Sequence, residues 1–218
     1  VYEVEIKIRA DHGEVRRRLD DRGADAVGRV AQVDTYYDAP HRDFAATDEA
    51  LRIRRETPRS GGDGGIRGAA GDRGADRVES RDDAGPETTA RVTYKGPLVD
   101  DDSKTRTERE TEVADGETMD AVLAGLGFEP AATVEKEREF YRFDGYTVAL
   151  DAVEGAGTFV EVEREAADEA DVERVRTGAY AVARELGLDP ADQIRTSYLG
   201  MLLDAADDEE GVGPGDSP

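Results

Sequence analysis

The sequence predicts an α+β fold in which about eight strands, mostly joined by hairpins, are covered by three or four helices. Three observations carry that expectation. Short segments alternating apolar and charged residues recur along the chain, and a period of two marks a strand with one apolar face. Tight-turn pairs such as Asp144-Gly145 separate strand-like runs. Longer stretches of helical periodicity, bounded by capping residues, lie between and after them.

Composition narrows the partners. A chain of 218 residues suits one large domain or two small ones and can bury a core. Its formal net charge of −23 argues against a nucleic-acid backbone or an anionic membrane as the main partner. The regular apolar periodicity argues against general disorder. Of 29 basic residues, only Lys7, Lys95, Lys104 and Lys136 are lysine. Abundant Asp and Glu with scarce Lys look like adaptation to high internal salt, where dense carboxylates oppose association. All four lysines fall within or at the edge of strand-like segments, which directs them toward a site. There is no cysteine, hence no disulfide and no thiolate metal site. His12 and His41 read as solvated surface residues. No apolar run approaches the ~20 residues that span a bilayer, and no signal peptide is visible, so a cytoplasmic location is expected.

The opening run, Tyr2-Glu3-Val4-Glu5-Ile6-Lys7-Ile8-Arg9, sets the pattern of one apolar face and one charged face. Asp11 caps a helix that runs to about Arg22 and stops at Gly23. Residues 27–37 form a second strand, closed by a turn at Asp38-Ala39-Pro40, and Arg42 to Thr47 a short helical turn. Ala50 to Arg54 alternates again, with Arg52 and Arg54 on one face. Residues 58–88, crowded with Gly, Asp, Arg and Ala and lacking apolar period, read as a disordered hairpin insertion.

Strands resume at Ala90 to Lys95, ended by Gly96-Pro97. After the acidic turn Asp100-Asp101-Asp102, the next strand runs from Lys104 to Glu110, placing Lys104, Arg106, Glu108 and Glu110 on one face. A helix from Asp115 or Thr118 carries Met119, Val122, Leu123 and Leu126 as its core stripe and stops at Gly127. Residues 134–141 form a strand whose two faces are hard to tell apart. The turn at Asp144-Gly145 leads to a strand over 146–151, and Gly155-Ala156-Gly157 to another over 158–163. There Val160 and Val162 face the core, and Glu161 and Glu163 repeat the E-x-E of the first strand. A long helix over about 168–186 ends at Gly187, one or two shorter helices fill 190–206, and the acidic tail 207–218 is expected to be disordered.

If the apolar faces turn outward against the helices, the charged faces line an interior. Small barrels normally fill with apolar side chains. A charged lumen must therefore stay wet or hold a ligand, because unpaired buried ions cost several kcal/mol each. Lys7, Arg9, Arg52, Arg54, Lys95, Lys104, Arg106, Lys136 and Arg138 suit a polyanion with several phosphates. Glu3, Glu5, Asp151, Glu161 and Glu163 would repel it unless Mg²⁺ or Mn²⁺ sat between them. No Gly-rich phosphate loop is present, so side chains would hold the phosphates.

These residues carry a family resemblance. Glu3-x-Glu5-x-Lys7 resembles the signature of the CYTH (triphosphate tunnel) superfamily, which includes class IV adenylyl cyclases, thiamine triphosphatases and inorganic triphosphatases. The likeness continues through Asp34-Thr35-Tyr36-Tyr37-Asp38, Leu51-Arg52-Ile53-Arg54, Thr93-Tyr94-Lys95-Gly96-Pro97, Lys104-x-Arg106-x-Glu108, Lys136-x-Arg138, Leu150-Asp151 and Thr158-Phe159-Val160-Glu161-Val162-Glu163. The second to fourth strands are most similar to the class IV cyclase branch. The resemblance implies an eight-stranded antiparallel β-barrel, a tunnel with helices packed outside, over residues 1–206.

It further implies that Glu3, Glu5, Glu161 and Glu163, helped by Asp151, hold Mg²⁺ or Mn²⁺, and that the Lys and Arg set binds the triphosphate. Lys7, Glu5 and Glu161 would take part in the chemistry, Lys7 as a phosphate ligand or as a base. A cyclase would convert ATP to cyclic AMP and pyrophosphate, while a triphosphatase would release orthophosphate in the same tunnel. A non-catalytic sensor of nucleotide or polyphosphate is a third reading, against which both E-x-E pairs are intact. The implied partner is a nucleoside triphosphate or other triphosphate compound, with a second copy of the chain as a candidate homodimer partner. No residue is assigned to adenine recognition.

Overall fold

The alternating segments are the staves of one closed antiparallel barrel. In the computed structural model, residues 1–59, 87–99 and 102–210 are described, side chains of 206–210 excepted. The strands are β1 (Tyr2–Arg9), β2 (Asp25–Asp38), β3 (Ala50–Pro58), β4 (Thr89–Leu98), β5 (Arg106–Val113), β6 (Glu129–Phe143), β7 (Tyr146–Val153) and β8 (Gly157–Ala166). The helices are α1 (His12–Asp21), α2 (Phe44–Thr47), α3 (Gly116–Gly125), α4 (Glu169–Glu185) and α5 (Tyr198–Glu210), with a 3₁₀ turn at Pro190–Asp192. Around the barrel the order is β1-β5-β4-β3-β2-β6-β7-β8.

The hydrophobic core lies outside the barrel. Val4, Ile6 and Ile8 of β1, Val148 and Leu150 of β7, and Val160 and Val162 of β8 are all buried. They pack with Val15 and Leu19 of α1 and with Val172, Val175, Ala179 and Val182 of α4. Each buried Val, Leu or Ile contributes about 1.5–3 kcal/mol relative to exposure, so this layer turns the charged residues of the same strands inward. Local signals support it. Asp11 accepts from the Glu14 amide at 3.1 Å and caps α1. Asp144 and Gly145 both have positive φ, 49° and 76°, as a type I′ hairpin requires. Gly178 gives α4 its close approach to the sheet: a Cβ there would stand 1.9 Å from the Tyr146 hydroxyl, which donates to the Val175 carbonyl.

Several expectations are corrected. β4 continues through Gly96-Pro97, with a register shift between Lys95 and Leu98 opposite β5 that accommodates the proline. Lys104 lies just before β5 rather than inside it. On α3, Leu123 is buried but Val122 and Leu126 are 48% and 64% exposed. Met119 and Leu123, one turn apart, meet Tyr37 and Ile53, which leaves the other two on the flank. α5 extends to Glu210, past the expected start of the tail. His12 is half-buried, its Nε2 3.0 Å from the Phe159 carbonyl oxygen, while His41 is exposed against Phe128. β3 runs to Pro58, and the rest of the proposed insertion lies largely outside the described residues, as do Asp100, Asp101 and residues 211–218.

Candidate functional site

The inward faces enclose a chamber of about 1460 Å³ that reaches the surface. All four lysines line it, with Arg52, Arg54, Arg106 and Arg138. Their position follows from strand parity: Lys7 pairs with Glu161 and Glu5 with Glu163 across β1 and β8, and Arg138 pairs with Asp151 across β6 and β7. Residues at every second position of a strand share a face.

The cations are held by an ordered set of acids. Asp34 accepts from Arg52 at 3.0 Å and from Arg54 in a bidentate pair at 2.7 Å. Against the effect of burial, these two guanidinium groups hold Asp34 well below the usual carboxylate range. Lys95 is anchored by Glu108 and lies 3.6 Å from Glu3. Arg138 donates to Glu161 and Asp151. Lys7 stands between Glu5 at 3.6 Å and Glu161 at 3.5 Å, with its ammonium 4.0 Å from the centre of the Tyr198 ring. That ring also lies 5.0 Å from the Lys136 ammonium, and its hydroxyl donates to Asp151 at 2.9 Å. Burial, then the carboxylates of Glu161 and Asp151, push the Tyr198 phenol far up, so it remains a donor.

Three buried side-chain atoms have no hydrogen-bond partner among the described residues: Arg52 Nε, Glu5 Oε1 and Gln32 Oε1. Lys104 has no hydrogen bond or ion pair to its ammonium among the described residues. Burial, with Lys7, Arg106 and Lys95 nearby, pushes that ammonium down to about 7. Lys136 is pushed down to about 8 by burial and Arg138. Burial, reinforced by Glu3, Glu161 and Glu5, pushes Glu163 up to about 7. Glu3 rises to about 7 through burial and its neighbour Glu108.

These properties test the fit of a divalent cation. Among the described residues no group of three or more His, Asp or Glu stands ready to hold a metal ion, because Glu161 accepts from Arg138 and faces Lys7. The donor chemistry nevertheless fits: Glu5 carries an oxygen without a hydrogen-bond partner among the described residues, and the facing Glu163 is raised by burial and then by its like-charged neighbours. A cation would relieve both.

Two expected site residues are placed elsewhere. Arg9 is exposed and does not line the chamber: its guanidinium lies over the Phe159 ring at 4.6 Å and donates to the Ala156 carbonyl. It sits at the end of β1, directly opposite Phe159 of β8, whose ring packs against Tyr198. Asp151 is fully buried and enclosed by Lys136, Arg138 and Tyr198, so it organises the cations instead of facing the chamber. Conversely, Asp34, Glu108 and Tyr198 belong to the site without having been assigned to it. Asp34 and Glu108 share the inward parity of their strands. Tyr198 has no such signal, since α5 reaches the chamber from outside the barrel.

A family model described as the CYTH domain matches residues 2–198. A protein of Methanocaldococcus jannaschii named "Putative adenylate cyclase MJ0240" is 33% identical over 202 residues, covering 92% of this chain and 98% of that protein. The structure of PH1819 from Pyrococcus horikoshii OT3 superposes with a TM-score of 0.76 at 32% identity, covering 93% of this chain and 99% of that one. PH1012 from the same organism gives a TM-score of 0.68 at 25% identity, covering 92% and 99%.

Proposed function

The chain belongs to the CYTH domain family, and from that premise we propose that it is a metal-dependent enzyme acting on a triphosphate, with conversion of ATP to cyclic AMP and pyrophosphate as the leading reaction. One observation carries the reading: the same chamber holds a buried donor, Arg52 Nε, and a buried acceptor, Glu5 Oε1, that have no hydrogen-bond partner among the described residues. Buried polar groups are almost always satisfied. An anion answers the first and a cation the second, and a metal–triphosphate supplies both. The M. jannaschii relative's name supports the cyclase reaction, and hydrolysis to orthophosphate is the second reading.

Arg52, Arg54, Lys95, Lys104, Arg106, Lys136 and Arg138 would bind the phosphates, with Lys7 beside them. Glu5, Glu163, Glu161 and Glu3 would hold Mg²⁺ or Mn²⁺. A bound metal would lower the pKa of the attacking hydroxyl and neutralise charge developing on the leaving phosphate. The protein's own contribution is to position and neutralise: fixed cations hold the phosphate chain in line without reorganising. Lys104 near neutrality can supply or take a proton at a phosphate oxygen. Incubating the protein with ATP, thiamine triphosphate or tripolyphosphate and Mg²⁺ or Mn²⁺ at high KCl tests the reading. Cyclic AMP with pyrophosphate supports the cyclase and orthophosphate the triphosphatase; tight binding with no turnover of any substrate would leave a sensor.

Two further outcomes are expected. Arg52→Ala raises KM about tenfold or more, the loss of a charge-assisted contact of about 1.5–3 kcal/mol. Arg9→Ala leaves KM within about twofold, as an exposed residue outside the chamber should. Equal KM values for the two variants would remove Arg52 from the phosphate ligands. The second outcome concerns pH. Glu3 and Glu163 are raised to about 7, whereas an unfolded Glu titrates near 4.3. Below that lower value both states are protonated and their contribution is full; it is lost as pH rises to about 7, where the folded carboxylates ionise against one another. Mg²⁺ competes with those protons, so its stabilisation should be larger at pH 7.5 than at pH 5.5. Thermal unfolding with MgCl₂, against NaCl at matched ionic strength, reads this directly. A shift of equal size at both pH values would remove these two acids from the metal set.

A further inference from the structure

We propose that Asp48 competes with the triphosphate for Arg106, as a displaceable latch that ties the turn after α2 to the cationic wall and lowers substrate affinity. The inference rests on the triphosphate reading above and adds a means of regulation to it.

The contact uses the part of Arg106 that a phosphate would use. Arg106 is buried at the first position of β5 and lines the chamber. Its Nη1 donates to the Asp48 carbonyl oxygen at 2.7 Å, and its Nη2 lies 3.2 Å from the Asp48 carboxylate. A guanidinium grips phosphate through two parallel N–H bonds, and a carboxylate or carbonyl offers the same kind of acceptor. Both terminal nitrogens of Arg106 are turned to Asp48. A phosphate held by that end of the side chain must therefore replace Asp48 there.

What sets Asp48 apart from the other counterions is where it stands. Asp34, which holds Arg52 and Arg54, lies on β2, and Glu108, beside Lys95, lies on β5. Asp151 and Glu161, both on Arg138, belong to β7 and β8. These carboxylates are carried by strands of a closed barrel, so displacing one disturbs the sheet. Asp48 instead ends α2, a helix of four residues, with φ 52° and ψ 32°. That left-handed conformation is uncommon for any residue but glycine. The Asp48 side chain is 51% exposed, against 2% for Asp34. An ion pair with one partner half in water is weakly held, so this contact yields where the others do not.

The next residue keeps the displacement local. Glu49 accepts from Arg42 at 2.9 Å, from the Thr47 hydroxyl at 2.6 Å and from the Tyr94 hydroxyl of β4. Those bonds fasten the α2 segment to the barrel independently of Arg106, and Phe44 stays buried beneath it. Release of Asp48 frees the turn without detaching the helix. The latch therefore acts on affinity, as an internal carboxylate that the substrate must outbid.

The test measures equilibrium Kd values in MgCl₂ for ATP and for inorganic tripolyphosphate. Asp48→Asn removes the charge and keeps a residue tolerated in the left-handed region. It should lower the Kd of each triphosphate that the wild type binds by at least about threefold. Asp48→Gly, which suits the same backbone, should act in the same direction, and the unfolding temperature checks that both variants fold. Losing any negative charge near a phosphate site could tighten binding, so Asp48→Asn is measured again in an Arg106→Gln background. Arg106 is one of several proposed phosphate cations, so binding persists there at a higher Kd. With no guanidinium to release, Asp48→Asn should then change Kd by less than about 1.5-fold. An unchanged or raised Kd for Asp48→Asn, or a tightening that persists in the Arg106→Gln background, would overturn the latch and leave the triphosphate reading standing. Failure of the wild type to bind either compound would overturn both.

Discussion

Glu5→Gln is expected to lower metal-dependent turnover at least a thousandfold, about 4 kcal/mol of transition-state stabilisation, with little change in thermal stability. The substitution keeps the shape of the side chain and removes its charge. Among the described residues Glu5 Oε1 has no hydrogen-bond partner, and its nearest cation there, Lys7, is 3.6 Å away. Little structural interaction is therefore lost, while a proposed metal donor facing Glu163 is. Glu161→Gln should lose turnover comparably and stability as well, because Glu161 accepts from Arg138 and lies 3.5 Å from Lys7. Steady-state rates across a MgCl₂ titration, alongside calorimetric unfolding, separate the two variants. Unchanged rates in both would end the metal assignment.

Asp151→Ala is expected to destabilise the protein by about 3–5 kcal/mol, the usual consequence of removing one partner from a buried ion pair. In a chain of this length that lowers Tm by on the order of 10 °C. The carboxylate is fully buried and receives Lys136, Arg138 and the Tyr198 hydroxyl. Its removal takes the salt-bridge partner from Lys136 and leaves Arg138 with Glu161 alone, in a medium of low polarity. Against the effect of burial, Arg138 and Lys136 hold Asp151 below its ordinary value. Its contribution is therefore present above the unfolded pKa near 3.9 and is lost as pH falls through the lower folded value. Asp151→Ala should thus lose stability at neutral pH and differ less from wild type under strong acid. Denaturant unfolding at both pH values provides the measurement. Lost turnover with stability kept within about 1 kcal/mol would instead return Asp151 to the metal ligands.

The four lysines show how far a sequence reading carries. Their scarcity marked them as informative, and all four line the chamber. Arg9 shows where such a reading stops. It shares the parity of Lys7, yet stands opposite Phe159 with its guanidinium over that ring, and nothing in the alternation of β1 says at which residue the chamber ends. The face of β6 that was hard to identify is likewise decided by its neighbours. Lys136 and Arg138 turn inward, while Tyr141 on the opposite face joins the core against α1 and α4.

By itself, the sequence determined which residues share a face, roughly where the strands and helices lie, and that the charged faces need a ligand or water. Those properties follow from periodicity and capping, which are local. The tertiary structure alone decided which inward charges meet. Asp34 faces Arg52 and Arg54, Asp151 is sealed beneath Tyr198, and Glu5 is left with an unmatched oxygen. Barrel closure, strand register and the docking of α5 set those encounters. Each depends on packing between segments distant in the chain, and a single charge on a strand carries no record of what it will face.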